Sequence, residues 1–175
     1  MDEKKLLPME REAARMQEFR MPRYDRLPEI ELYMDQLVGY VNRVLAPLAS
    51  EGTDEEILLT RSMVNNYVKQ HVIPPPEKKK YGRVQLAYLL MLCPLKQVFS
   101  IPECVQLMRL SGGTSLRDSY DTFCTELENA VRRSFAVGQP SSFEVNVLVR
   151  MTQAVADKIY LQKLLAAKTR SGGQR

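Results

Sequence analysis

Apolar residues recur at intervals of three and four positions along most of this chain, the spacing that places them on one face of an α-helix. The first long stripe consists of Ile30, Tyr33, Met34, Leu37, Val41, Val44, Leu45 and Leu48. Pro28 and the acidic Glu29 are typical of a helix start, so the stripe predicts a helix that begins near Pro28 and ends at Pro47.

The next predicted helix is short and has one apolar side. Thr60 is suited to be its N-cap, because the hydroxyl can accept a hydrogen bond from a backbone N–H of the first turn. The predicted buried residues are Met63, Val64, Tyr67 and Val68. His71 stands where helices often end in a left-handed residue, and the three prolines from Pro74 onward prevent the helix from continuing.

Four more helices are predicted downstream. Residues 82–99 are apolar nearly all round, which indicates a central helix that Pro94 kinks or divides. Further helices are predicted over 100–110 and 115–135, with the glycine-containing segment 111–114 as a hinge between them.

The last helix opens with a capping box at 141–144 and carries a narrow apolar seam. The seam positions alternate by three and four: Val145, Leu148, Thr152, Val155 and Ile159. Packing within the chain and pairing with a second copy both remain open as explanations of this seam.

The composition favours an all-α protein without membrane contact. Apolar residues make up 45% of the chain and aromatic residues 7%, and only eight glycines are available for the turns of a β-rich fold. The first residues are charged and contain no apolar segment of signal length, so no secretory signal is expected, and the longest apolar run, 86–95, is far shorter than the roughly 20 residues that cross a bilayer. A cytoplasmic protein is expected.

Little in the sequence is suited to catalysis or metal binding. The odd number of cysteines, Cys93, Cys104 and Cys124, and their apolar neighbours indicate reduced thiols that pack in the core. His71 is the single histidine, so neither a histidine-based metal site nor a Ser/His/Asp triad can form. The segment 111–114 lacks the lysine of a phosphate-binding loop. We expect no enzyme, no cofactor and no metal.

Basic charge is concentrated in one short segment. Between Leu59 and Arg83, six basic residues stand against one acid, whereas residues 1–58 carry eight basic residues and thirteen acids. Such a patch is typical of a surface that binds polyanions, because Lys and Arg displace the counterions condensed on phosphates. A solvated charged loop is the alternative interpretation.

The short helix has the dimensions and side chains of one that enters the major groove of double-stranded DNA. Asparagine can bond adenine bidentately, and lysine, arginine and serine can hold phosphates. We predict that Ser62, Asn65 and Asn66 read bases. The other predicted DNA-binding residues are Arg61, Lys69, Gln70, Lys78, Lys79, Lys80 and Arg83. An ordinary amphipathic helix with solvated amides is the alternative.

Three blocks of sequence resemble the MerR-type (mercury-resistance regulator) winged helix-turn-helix family. MVNNYVKQHVIPP is similar to its recognition helix, KYGRVQLAYLLML to the segment after the wing, and FSIPECVQLM to the helix that follows. The resemblance implies a DNA-binding fold and a homodimer that pairs through helices beyond it. Asn65 replaces a family arginine, and only four residues separate Pro76 from Tyr81, so the wing is minimal.

A wider resemblance covers about residues 20–130. YMDQLVGYVN, SMVNNYVKQHVIPPPEKKKY and QLAYLLMLCPLKQV together resemble an uncharacterised family of Gram-positive bacterial proteins known only as a domain of unknown function. That family implies a MerR-like fold without a demonstrated activity.

We therefore predict an all-α protein with a MerR-like winged helix-turn-helix, a minimal wing and a C-terminal helical pair. The predicted regions are a flexible charged tail (1–20), a DNA-binding domain (21–112), a helical dimerisation or effector region (113–170) and a disordered tail (171–175).

The leading functional hypothesis is a dimeric, sequence-specific transcriptional regulator. The main alternative is a protein-interaction adaptor that keeps a degenerate winged-helix scaffold, as the short wing and the missing arginine suggest. A third hypothesis has the C-terminal helices enclose an apolar pocket for a small-molecule effector.

Overall fold

The computed structural model describes residues 11–49, 58–110, 115–136 and 142–172. Over these ranges the chain forms helices and turns, with no β-strand and two isolated β-bridges. The all-α class is confirmed, and none of the described helices combines the length and apolar character needed to cross a bilayer. The helices are α1 (11–17), α2 (Met34–Leu45), α3 (Arg61–Lys69), α4 (Arg83–Leu95), α5 (Ile101–Leu110), α6 (Leu116–Ser134) and α7 (Phe143–Gly172), with 3-10 turns at Tyr24–Arg26 and Ala46–Leu48.

α4 is the central helix, as the sequence predicts. It packs against α2 on one side and α6 on another, and its buried residues include Leu86, Leu89, Leu90 and Leu92, all 0% exposed. Pro94 lies in the last turn, and the chain continues beyond α4 as a turn rather than as helix to residue 99. The helix predicted over 82–99 is therefore shorter than expected: it ends one residue after Pro94 instead of being kinked or divided there.

α2 begins later than the sequence pattern predicts. Leu32 is extended and pairs with Tyr81, with N–H to O distances of 2.8 and 2.9 Å in the two directions. The N–H of Tyr33 is capped by Gln36 Oε1 at 2.9 Å. Ile30 and Tyr33, which the stripe assigned to the buried face, are 74% and 57% exposed. The pairing of Leu32 with Tyr81 therefore delays the helix start that Pro28 predicts.

The N-terminal segment contains a packed helix. Where the sequence suggested a flexible charged tail, residues 11–17 are helical, and Ala13, Met16 and Phe19 are buried. Ala13 and Met16 form a short helical stripe that charged neighbours obscure, and Phe19 follows just beyond the helix. Residues 1–10 of the predicted tail lie outside the described ranges.

Glu128 of α6 holds the N-terminal segment in place. Its side chain is 2% exposed and accepts hydrogen bonds from the Met21 N–H at 2.9 Å and from Arg23 at 2.7 and 3.0 Å. Arg132 donates a further bond at 3.3 Å. Burial opposes ionisation of the carboxyl, but the hydrogen bonds outweigh burial and lower the pKa of Glu128.

The predicted starts of α5 and α6 are confirmed by their caps. The N–H of Ser100 donates to Glu103 Oε2 at 2.8 Å, and the Asp118 N–H donates to Ser115 Oγ at 3.1 Å. The predicted hinge at 111–114 lies outside the described residues.

α7 is long and mostly exposed. Leu165 is the single buried residue among its described side chains, and its main contact is with α5. The seam residues Val145, Leu148 and Val155 are 50%, 55% and 54% exposed, so the seam is not packed within the chain. The helix continues through Gly172, beyond the start of the predicted tail. Residues 137–141, with the first serine of the predicted capping box, and residues 173–175 lie outside the described ranges.

Candidate functional site

α3 is fixed to the body of the protein along one side. Thr60 caps it, accepting a hydrogen bond from the Met63 N–H at 3.2 Å, as the sequence predicts. Val64 and Tyr67 are buried, while Met63 and Val68 pack partly against the core. Burial raises the pKa of Tyr67 to about 12, which is consistent with a packing role for this tyrosine.

The opposite side of α3 is polar and exposed. All six of the predicted DNA-binding residues on and next to this helix face solvent: Arg61, Ser62, Asn65, Asn66, Lys69 and Gln70. Gln70 Nε2 lies 3.3 Å from Asn66 Oδ1, so these two amides are aligned with each other. Neither asparagine is directed into the core, and both are free to meet a partner from outside.

His71 ends α3 in the predicted left-handed conformation, with φ of 55°. Its N–H donates to Val68 O at 3.1 Å, and the N–H groups of Val72 and Ile73 both reach Tyr67 O, at 2.8 and 3.4 Å. These bonds satisfy carbonyls at the end of the helix and fix the direction in which the chain leaves it.

The lysine-rich segment forms a two-residue hairpin turn. Glu77 and Lys80 exchange both backbone hydrogen bonds, at 3.0 and 2.8 Å. Lys78 and Lys79 between them have φ of 47° and 66°, which are the signs that a type I′ turn requires at its two central positions. Each left-handed lysine costs on the order of 1–2 kcal/mol of backbone strain relative to a right-handed residue. The fold holds two cations at an exposed tip in a conformation that usually selects asparagine and glycine.

The lysine turn is anchored beside the start of α2. Tyr81, directly after the turn, is the residue that pairs with Leu32. The ammonium group of Lys80 lies 5.5 Å from the centre of the Tyr33 ring, within the range of a cation–π contact. Lys80 is therefore half-buried, whereas Lys78 and Lys79 are exposed.

α3 approaches the same end of α2. Arg61, at the first position of α3, forms an ion pair with Asp35 in the first turn of α2. Both side chains are largely exposed, at 64% and 66%. Because Asp35 and Tyr33 are two residues apart, the amide face of α3 and the lysine turn flank a common region at the start of α2.

Arg83 does not belong to the exposed polar surface, because its side chain is engaged by the segment before α2. Its guanidinium donates to Leu27 O at 3.2 Å and pairs with Glu29 at 3.2 Å. It is half-buried and ties the segment before α2 to the first residue of α4. The structure therefore gives Arg83 a structural role, while the other nine predicted residues remain on or beside the exposed surface.

Sequence reasoning missed three residues at this surface. Asp35 and Tyr33 touch predicted site residues, and the ammonium group of Lys96 lies 3.2 Å from the Met63 sulfur. No local signal connects these pairs, which are 26 to 47 positions apart in the chain. Over the described residues, no group of three His, Cys, Asp or Glu side chains is placed to hold a metal ion.

These features define an all-helical protein with an exposed amide- and lysine-bearing surface beside a buried helical core. Residues 22–127 match the family described as a domain of unknown function (DUF1836), and the chain belongs to this family. The match is consistent with the resemblance to a family of unknown function over about residues 20–130. No significant match was found among curated proteins or among solved structures.

Proposed function

We propose that this protein is a dimeric, sequence-specific DNA-binding regulator with a degenerate MerR-like winged helix-turn-helix. The observation that carries the proposal is that two exposed polar elements both meet the start of α2: Arg61 of α3 pairs with Asp35, and Lys80 of the lysine turn lies over the Tyr33 ring. Strained backbone tends to be kept where it serves function, and the two left-handed lysines fit that rule.

Each part of the surface has a distinct role in the proposal. Asn65 and Asn66 project from α3 toward base edges, where an amide can pair with adenine in the major groove. Lys69, Lys78 and Lys79 are exposed and bind phosphates, which positions the helix without reading sequence. Arg61 joins them once phosphate replaces Asp35 as its partner.

The order of the elements supports a winged-helix arrangement. α2 and α3 stand as the two helices of a helix-turn-helix, and the lysine turn stands as a wing reduced to two residues. The Leu32–Tyr81 bridge ties that turn to the strand-like segment before α2. The proposed wing therefore reaches DNA through Lys78 and Lys79 alone.

α7 supports a dimer. Its apolar seam is about half exposed, and a second copy is a partner with a matching seam. In an antiparallel pair that sets Val145 of one copy against Val155 of the other, Leu148 lies against Thr152 of the partner helix.

DNA binding is tested by fluorescence anisotropy with a labelled random-sequence duplex at several salt concentrations. We expect log affinity to fall linearly with log salt, and Lys78→Gln/Lys79→Gln to reduce the slope by about 0.9 for each phosphate that is no longer neutralised. Arg150→Gln/Lys163→Gln, which removes the same charge from exposed positions of α7, is the matched control. Salt-independent binding, or equal slopes for the two variants, would refute the proposal.

Sequence reading is tested separately by selecting duplexes from a random pool. We expect wild type to enrich a motif, and Asn65→Ala to lose discrimination at one or two positions by about 1–3 kcal/mol each while keeping the salt slope. An identical motif from the variant would remove Asn65 from base recognition.

The dimer is tested by sedimentation equilibrium. Leu148→Asp places a charge in the seam and should yield monomers, whereas Val147→Asp lies beside the seam at similar exposure, 49% against 55%, and should not. Monomeric wild type at concentrations well above those used for DNA binding would contradict the dimer.

A protein-interaction adaptor is the second candidate. The Arg61–Asp35 pair favours it, because an acid on the proposed DNA surface opposes phosphate. An adaptor would purify without nucleic acid, whereas a DNA-binding protein would carry 260 nm absorbance that high salt removes.

A further inference from the structure

A cavity of about 680 Å³ lies between the segment that follows α3 and helices α4 to α7. One wall is the chain from His71 to Pro75, and the facing walls carry Leu107 of α5, Phe123 of α6 and Leu161 of α7. A volume of this size falls within the about 300–1,000 Å³ typical of sites for small organic ligands.

The lining of the cavity is apolar with a cationic edge. Met91, Leu107 and Phe123 contribute hydrophobic surface, while Arg109 is exposed at the edge. No Asp or Glu lies among the described lining residues. Arg109 and Tyr88, which also lines the cavity, have no hydrogen-bond or ion-pair partner among the described residues, so both are available to a ligand.

We propose that this cavity binds an apolar monocarboxylic acid, with the hydrocarbon chain between α4, α5 and α6 and the carboxylate at Arg109. A guanidinium forms charge-assisted hydrogen bonds to a carboxylate, and the apolar walls gain free energy by removing the chain from water. A cationic amphiphile of equal length is disfavoured, because its head group would meet Arg109 without a compensating acid.

A ligand in the cavity would contact residues 71–75. This segment connects α3 to the lysine turn, the two parts of the proposed DNA surface. His71 and Ile73 are hydrogen-bonded to the last turn of α3, and Pro75 O accepts a bond from the Gln85 side chain at 3.1 Å, two residues before the lysine turn. Displacement of residues 71–75 therefore changes how α3 and the turn are oriented relative to each other. This regulatory part of the inference rests on the proposed function, whereas the binding part does not.

Binding is tested by isothermal titration of the full chain with decanoate, and with decyltrimethylammonium as the ligand of opposite charge. We expect decanoate to saturate at one per chain and to bind more tightly than the cation. Arg109→Gln should weaken decanoate binding about threefold to tenfold, the range of an exposed ion pair plus a hydrogen bond. Arg150→Gln, an exposed arginine of α7, should leave it unchanged.

Leu107→Trp places a larger ring in the cavity from a half-buried position and should weaken decanoate binding, with circular dichroism confirming that the variant is folded. Absence of decanoate binding to wild type would overturn the proposal. Equal binding by wild type, Arg109→Gln and folded Leu107→Trp would also overturn it, because the acid would then be adsorbed elsewhere, for example on the exposed seam of α7.

Regulation is tested by repeating the DNA titration with saturating decanoate. We expect a change in duplex affinity of about fivefold or more, and a smaller change for Leu107→Trp at the same decanoate concentration. Saturable decanoate binding without any duplex binding would refute the DNA-binding function and leave the cavity assignment standing. Duplex binding that decanoate does not alter would refute the regulatory coupling.

Discussion

α4 and α7 both carry many apolar side chains, but α4 is buried on nearly every side and α7 is exposed along most of its length. α4 lies between α2 and α6, whereas α7 has α5 as its main neighbour. The family match at 22–127 contains α4 and ends before α7 begins. Apolar content alone therefore does not say whether a helix is buried in the core or left exposed on the surface.

The largest expected difference between the two helices is in folding stability. Leu89→Ala in α4 removes a side chain that is 0% exposed, and should lower the free energy of unfolding by about 2–5 kcal/mol. Leu148→Ala in α7 should change it by no more than about 0.5 kcal/mol at concentrations where the chain is monomeric. Denaturant titration measures both, and similar losses would show that α7 is part of the folding unit.

A buried polar contact of α6 should contribute less to folding stability than the apolar core of α4. Glu128→Gln keeps the shape of the side chain but removes the charge that Arg23 and Arg132 share, and should cost about 2 kcal/mol. Because the folded pKa of Glu128 is lowered, its contribution is fully present above the ordinary carboxyl pKa and is lost as pH falls through the lower folded value. The stability difference between wild type and Glu128→Gln should therefore shrink in acid, and a difference that grows there would contradict this interpretation.

The lysine turn resembles α7 in being exposed rather than part of the buried core. Lys78→Asn/Lys79→Gly supplies the residues that a type I′ turn favours and should raise the free energy of unfolding by about 1–2 kcal/mol. The same variant should weaken duplex binding, because two cations are removed. Lys78→Gln/Lys79→Gln serves as the control, since it removes the charges without gaining the stability. Unchanged stability in the Asn-Gly variant would show that the turn is not strained.

The smallest effect is expected at the ion pair on the α3 surface. Asp35→Asn should change folding stability by less than about 1 kcal/mol, because both partners of the pair are largely exposed. It should strengthen duplex binding about twofold to fivefold by freeing Arg61 and removing a negative charge. Asp157→Asn on α7 removes the same charge at a distance from α3, and equal gains from both variants would indicate a net-charge effect only.

Local signals predicted much of the fold. Thr60 and His71 each act within three or four residues of their position, so the cap of α3 and its left-handed end were readable from the sequence. The late start of α2 was not readable, because it depends on a bridge from Leu32 to Tyr81, 49 residues away.

In the candidate site too, local features were predicted from the sequence, whereas contacts between distant residues were not. The exposed arc of α3 follows from its own periodicity, and its members were all predicted. The contact of Arg61 with Asp35 and the withdrawal of Arg83 toward Glu29 depend on tertiary packing over 26 and 54 positions. The left-handed pair Lys78 and Lys79 carries no turn signal of its own, because lysine is not a residue that type I′ turns select.

The alkylation rates of the three buried cysteines can report local opening of the core. Cys93 of α4, Cys104 of α5 and Cys124 of α6 are each 0% exposed, and burial raises the thiol pKa to about 12 for Cys93 and about 11 for Cys124. Alkylating reagents at neutral pH therefore reach each sulfur only when its helix departs from its neighbours. The modification rates, resolved by mass spectrometry, would rank the three helices by the free energy of exposing them, without any introduced label.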